Sequence, residues 1–170
     1  MTADEELAQN DGAVAERLPT TPGERVVAGR PTRRAVLEFF SRRFGIPHST
    51  FADHTFWEKG AGRVWAFGGE LPSGQTVETL GLPLLRVRQA HWKPTTDGAQ
   101  RFGEAATRNV LTVDRETAAA FFRGEDQAQA WDGDWGYLFV ATDLGVLGVG
   151  LFVHGELRSM IPKGRRRDLR

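Results

Sequence analysis

Three strand-like runs lie close together near the end of the chain, separated by two short turns that each contain glycine. They are residues 135–141 (WGYLFVA), 146–153 (VLGVGLFV) and 156–161 (ELRSMI), joined through Asp143-Leu144-Gly145 and His154-Gly155. Turns this tight leave consecutive runs no choice but to fold back on one another as an antiparallel meander. Gly148 and Gly150 interrupt the middle run, where they either bend a strand or let another backbone approach. With the other short strands and one or two helices, the meander predicts a small barrel. The fold class expected is mixed α+β, a small α+β domain followed by a β-barrel (pseudobarrel) second half.

Upstream, Thr32 follows Pro31 as a helix N-cap, and Val36, Leu37, Phe39, Phe40 and Phe44 supply an apolar face that Gly45 and Pro47 bring to an end. Arg33, Arg34, Arg42 and Arg43 fall mostly on the remaining surface of that helix. Residues 55–58 (TFWE) and 63–67 (RVWAF) flank Lys59-Gly60-Ala61-Gly62, the pattern of a hairpin. Residues 84–88 (LLRVR) read as a strand bearing arginine on one side. A short helix is expected over 96–107 with Thr96 or Asp97 as its cap, then a strand over 109–113. Asp114 caps a further helix over 115–123 that ends at Gly124. The chain then divides into a flexible acidic leader (1–29), a small α+β domain (30–87) and a barrel domain (88–167).

Composition excludes several chemistries. None of the 170 residues is cysteine, so disulfides, cysteine-ligated metals and thiol nucleophiles are absent. His48, His54, His91 and His154 show neither HxxxH nor HExxH spacing, and no GxxxxGK[ST] or GxSxG motif occurs. Carboxylates such as Asp132/Asp134 and Glu125/Asp126 sit in loop-like stretches. Nothing in the pattern argues for catalysis, a metal or a cofactor. No apolar run reaches the ~18–20 residues of a membrane span, and no signal peptide is visible, which predicts a cytoplasmic protein with no membrane partner.

The formal charge is zero, but it is unevenly spread. Residues 1–24 carry six acids against Arg17 alone, and residues 25–108 carry thirteen bases against seven acids. Residues 109–157 hold eight acids and two bases, while 158–170 hold six bases and one acid. Such asymmetry points to a polyanionic partner. Arginine outnumbers lysine nineteen to three, through GC-rich coding or through selection for planar phosphate contacts. Arg86, Arg88, Trp92, Lys93, Arg101, Arg108 and Asn109 fall within two dozen residues, and Lys163, Arg165, Arg166 and Arg167 follow near the end. Cations neutralise phosphates, and an aromatic plane stacks on an unpaired base. A solvated tail with ordinary surface arginines would show the same composition. The loop 92–96 also leads into a helix, whose first N–H groups suit a phosphate.

The stretches Lys93-Pro94-Thr95, Phe102-Gly103-Glu104-Ala105-Ala106-Thr107-Arg108-Asn109-Val110 and Phe122-Arg123-Gly124-Glu125-Asp126 resemble a PUA domain, an RNA-binding fold. Trp135-Gly136-Tyr137-Leu138-Phe139-Val140, Gly155-Glu156-Leu157-Arg158-Ser159 and the closing Ile161-Pro162-Lys163-Gly164-Arg165-Arg166 extend the likeness. It is similar to the C-terminal region of Sun-type RNA cytosine-5 methyltransferases and to stand-alone archaeal ribosome-biogenesis proteins grouped with them. Arg43-Phe44-Gly45-Ile46-Pro47 and Phe56-Trp57-Glu58-Lys59-Gly60 resemble the small α+β domain that precedes PUA in such proteins. The resemblance implies a non-catalytic protein, because the methyltransferase domain and its nucleophilic cysteine are missing here. It implies binding of structured rRNA or tRNA in ribosome biogenesis or RNA modification, with an archaeal source and a separate modifying enzyme or ribosomal particle as partner. Arg88, Trp92, Lys93, Arg101, Arg108, Asn109, Lys163, Arg165 and Arg166 are the expected RNA contacts, with Trp92 or His91 stacking on a base. The competing reading is a protein–protein adaptor that recruits an RNA-modifying enzyme through the leader or through residues 125–134 (EDQAQAWDGD).

Overall fold

The structure, a computed structural model, describes residues 14–20, 24 and 29–166. These fall into two units, residues 1–42 with 47–93, and residues 43–46 with 94–170.

In the first unit, α1 (Arg33–Phe44) starts where Thr32 Oγ1 accepts the Ala35 N–H at 3.1 Å, the cap expected after Pro31. Val36 and Phe40, one turn apart, are fully buried, and Phe40 meets Phe51, which in turn meets Phe56, at ring separations of 5.3 and 5.4 Å. Six strands form one sheet in the order β4-β1-β2-β3-β5-β6. They are β1 (Val14–Arg17), β2 (Thr55–Glu58), β3 (Arg63–Phe67), β4 (Gln75–Thr76), β5 (Leu82–Arg86) and β6 (Lys93–Pro94). The β2–β3 hairpin has the expected turn, with Gly60 and Gly62 both at positive φ and Trp57 opposite Trp65.

Two expectations change here. Residues 1–13, 21–23 and 25–28 of the expected leader lie outside the described residues. Val14–Arg17, however, is not leader but an inner strand, paired with β2 on one side and β4 on the other. Ala15 and Leu18 are buried, and Ala15 packs with Trp57 and Leu80. Four residues are too short a run for alternation to show in sequence. Arg33 likewise leaves the solvent surface of α1. Its guanidinium donates to the carbonyls of His54 (2.6 Å) and Phe51 (2.9 Å) and lies 4.7 Å over the Phe56 ring. Burial, and then the charge of Arg17, lowers its pKa.

The second unit holds α2 (Thr96–Phe102), β7 (Val110–Thr112), α3 (Arg115–Arg123), β8 (Gln127–Ala128), β9 (Gly136–Thr142), β10 (Gly145–Val153) and β11 (Glu156–Ser159). Its mixed sheet runs β7-β9-β10-β11-β8. The meander β9-β10-β11 is antiparallel as the glycine turns require, whereas β7 runs parallel to β9 and needs α3 in the connection between them. Leu111, Phe121, Leu138, Val140, Phe152, Leu157 and Ile161 form the core. Buried Ser159 fixes the end of the meander by donating to the Phe121 carbonyl at 2.7 Å. Asp114 caps α3 through the Thr117 N–H (2.8 Å), and Gly124 ends it at φ +83°.

The glycines of β10 make room for side chains rather than for another backbone. A Cβ on Gly148 would sit 2.8 Å from Ile161 Cδ1, and one on Gly150 would sit 2.6 Å from Leu157 Cδ1. The cap of α2 is Thr95, one residue before the expected Thr96 or Asp97. Its extended backbone (φ −84°, ψ 161°) aims the hydroxyl at the Gly98 N–H, while Thr96 already lies inside the helix.

Candidate nucleic-acid interface

Within the second unit, α2 and the closing turn supply one cationic surface. Asp97 and Arg101 stand four residues apart, hence on the same face of α2. Arg101 is exposed, its guanidinium 5.7 Å from the Phe102 ring. Arg165, in the 3-10 turn Lys163–Arg165, donates to Asp97 Oδ1 at 2.8 Å and so ties that turn to α2. The Arg165 backbone N–H is taken by the Pro162 carbonyl at 2.8 Å, so proline and glycine around Lys163 fix the turn while its side chains stay outside. That tie sets the Lys163–Arg165 turn against α2, the helix that carries Arg101. Asp97 neutralises part of this surface and holds Arg165 in place.

Other expected contacts do different work. Asn109 is buried, sits at φ +53°, and donates from Nδ2 to the Arg43 carbonyl at 2.7 Å. Its amide braces the backbone and is not available to RNA. Arg166 folds back onto the end of α3, donating to the Ile161 carbonyl (3.3 Å) across Gly124, where any Cβ would collide with its guanidinium. A cation there also faces the negative end of the helix dipole. Arg108 remains exposed beside the Gly45 backbone, with its own N–H bonded to the Phe44 carbonyl at 3.0 Å. At the start of α2, Thr95 takes the N–H groups of Gly98 and Ala99 with its hydroxyl and carbonyl, so two of the first four are not open to a phosphate.

Spacing alone puts Arg43 on the helix surface, yet it counts with the second unit. Its Nη2 and Nε both donate to the Tyr137 carbonyl, at 2.6 and 3.0 Å. Burial lowers its pKa, which Asp134 at 3.7 Å partly offsets.

Arg88, Trp92 and Lys93 belong to the first unit. Arg88 is exposed and crosses Gly62 at the β2–β3 turn. Trp92 is half-buried with its ring 5.5 Å from Phe39, so it is packed on α1 rather than held out for a base. Lys93 is half-buried on β6. Two features escape a reading of the sequence. Arg63 on β3 lies directly opposite Arg86 on β5, both exposed, and only the strand register reveals it. Trp135 is 63% exposed, with its ring 5.4 Å from His154 in an edge-to-face arrangement at the β10–β11 turn. An apolar run in sequence gives no reason to leave its first residue in water.

Among the described residues, no three histidine, aspartate or glutamate side chains come together as a metal would require. No helix there is long and apolar enough to cross a membrane.

Comparison with known proteins divides the chain in a similar way. Residues 1–81 match a family of unknown function, DUF7122. Residues 108–167 match the methyltransferase RsmF PUA domain. The chain is also 23% identical over 108 residues to the ribosomal RNA small subunit methyltransferase F of Aeromonas salmonicida (strain A449). That alignment covers 62% of this chain but only 23% of the methyltransferase, so the chain spans under a quarter of the length of that relative. The parallel β7–β9 pair, the meander and the closing Pro-Lys-Gly-Arg turn all fall in the segment that matches, and the chain carries there a PUA region of the type found in Sun-type RNA methyltransferases.

Proposed function

We propose that this protein binds structured ribosomal or transfer RNA without catalysing a reaction, and serves RNA modification or ribosome biogenesis. The observation that carries the reading is the cationic surface of α2 and the Lys163–Arg165 turn, the turn lying within the segment that matches the PUA domain of an rRNA methyltransferase and α2 lying just before it. Arg101, Lys163 and Arg165 would hold phosphates, with Arg108 alongside, across the shallow groove of an A-form helix. The absence of any cysteine leaves the chain without the sulfur nucleophile expected of an RNA cytosine-5 methyltransferase.

The test is fluorescence anisotropy with rRNA fragments and tRNA across a salt series, against a same-length DNA duplex. Affinity should favour RNA and fall steeply with salt. Arg101→Ala with Lys163→Ala should reduce the salt slope by about 1 for each phosphate left without its cation. RNA-indifferent binding, or a slope unchanged by both substitutions, would overturn the reading.

A second reading rests on Trp135. An indole 63% exposed and flanked by exposed Asp132 and Asp134 suits a basic protein surface better than a phosphate chain. Deleting residues 1–24 cannot test it, because that removes β1 from its sheet. Trp135→Ala is the informative variant. It should abolish capture of a modifying enzyme if the protein is an adaptor, and leave RNA affinity unchanged.

A further inference from the structure

The first unit contains a feature that the PUA reading does not use. Arg63 on β3 and Arg86 on β5 are Cα partners in an antiparallel pair, so their side chains leave the same face at adjacent positions. Like charges directly opposite one another across two strands are destabilising. No carboxylate partners Arg63, Arg86 or Arg88 among the described residues. The acid on the neighbouring strand, Glu58 of β2, is fully buried and engages Arg30 at 3.1 Å. The next strand out, β6, carries Lys93, whose pKa is lowered by burial and then by the charge of Arg86. Arg88, two residues past the end of β5, crosses the β2–β3 turn at Gly62, which has no Cβ to obstruct it.

Four cations therefore crowd one end of β3, β5 and β6, and they repel one another in the free protein. Neighbouring strands lie ~4.8 Å apart, so the cations step across the sheet as a row instead of converging on one point. A single small anion would satisfy one or two of them. A chain of phosphates can engage the three arginines together and run past Lys93, and guanidinium forks suit phosphate oxygens. We infer that Arg63, Arg86, Arg88 and Lys93 form a phosphate-backbone site on the first unit, separate from the PUA surface and binding the same class of ligand, an RNA strand. The inference rests on the RNA reading above and adds to it a site in the first unit, most of which matches a family of unknown function.

The row makes an unusual demand on mutants. Arg86→Glu turns a repulsive cross-strand pair into an ion pair with Arg63, so the variant should melt at or above the wild-type temperature. It should nevertheless bind RNA about tenfold more weakly, or worse, at about 0.1 M salt. Arg63→Gln with Arg86→Gln should likewise keep or raise the melting temperature and lower the salt slope by about 2. The probe is the tRNA or rRNA fragment used for the PUA test, with wild type and the Arg101/Lys163 double variant alongside. Raised or unchanged stability with weakened RNA binding supports the site. If wild type binds RNA and the Arg63/Arg86 variants bind it equally well with the same slope, the first-unit site is overturned and the PUA reading survives. If wild type binds no RNA, both fall together.

Discussion

Asn109 shows how one residue can change its meaning between sequence and structure. It stands at φ +53°, a conformation that asparagine tolerates better than most residues because its short amide bonds nearby backbone. Here the amide reaches the Arg43 carbonyl at 2.7 Å, and the Asn109 carbonyl accepts the Phe139 N–H at 2.9 Å. Asn109→Ala should lose the buried bond and add left-handed strain, costing about 2–3 kcal/mol. Asn109→Gly loses the bond but not the conformation, and should cost about 1 kcal/mol less. Urea denaturation separates the two, and equal losses would mean the backbone there is unstrained. Neither variant should alter RNA affinity once folded. Arg33, Arg43 and Arg166 share this fate, since each spends its guanidinium on backbone carbonyls of its own unit. An arginine that binds carbonyls and one that waits for phosphate look alike in sequence. Only burial and hydrogen-bond partners tell them apart.

At the scale of elements, much is legible because local rules act over few residues. Thr32 and Asp114 cap their helices, Gly124 closes one, and the meander follows from two glycine turns. The misreadings arise where partners lie far apart in sequence. β1 is held by strands some 40 and 60 residues away, and β7 pairs in parallel through a connection that includes α3. The Arg63–Arg86 pair is invisible for the same reason, because a register is not written in either strand alone. Two caps give measurable consequences. Thr95→Ala leaves the Gly98 N–H without its acceptor and should cost about 1 kcal/mol. The same change loosens the helix that positions Arg101 and Asp97, so RNA affinity should fall with it.

Asp114 carries a pH signature. The Thr117 backbone N–H, with its side-chain hydroxyl second, holds the carboxyl below its usual 3.8. A depressed pKa stabilises the folded state above the unfolded value, and that stabilisation is lost as pH falls through the folded one. Asp114→Ala should therefore lower the melting temperature near neutral pH, and the deficit should shrink as pH drops below about 3.8. A deficit that stays constant down to about pH 2 would show that the cap acts through packing and not through charge.

For the whole molecule, what matters is where a unit begins. A division at residue 87 reads naturally from the chain, and the second unit in fact takes up residues 43–46 and then starts at Pro94. Those four residues bring strong contacts with them. Phe44 stacks on Phe139 with ring centroids 3.9 Å apart and planes within 3°, and its carbonyl accepts the N–H groups of Thr107 and Arg108. Arg43 holds the Tyr137 carbonyl and offers its own to Asn109. Gly45 sits at φ +65° against Thr107, where no side chain would fit. An aromatic pair with nearly parallel rings buried at the middle of β9 is worth more than ordinary surface contact, and Phe44→Ala should cost about 4 kcal/mol. A fragment of residues 88–167 contains the entire PUA match yet lacks this segment. It should melt well below the full chain and without a sharp transition, and bind a hydrophobic dye that the full chain excludes. A fragment that melts as cooperatively as the full chain would show that residues 43–46 merely rest on the second unit.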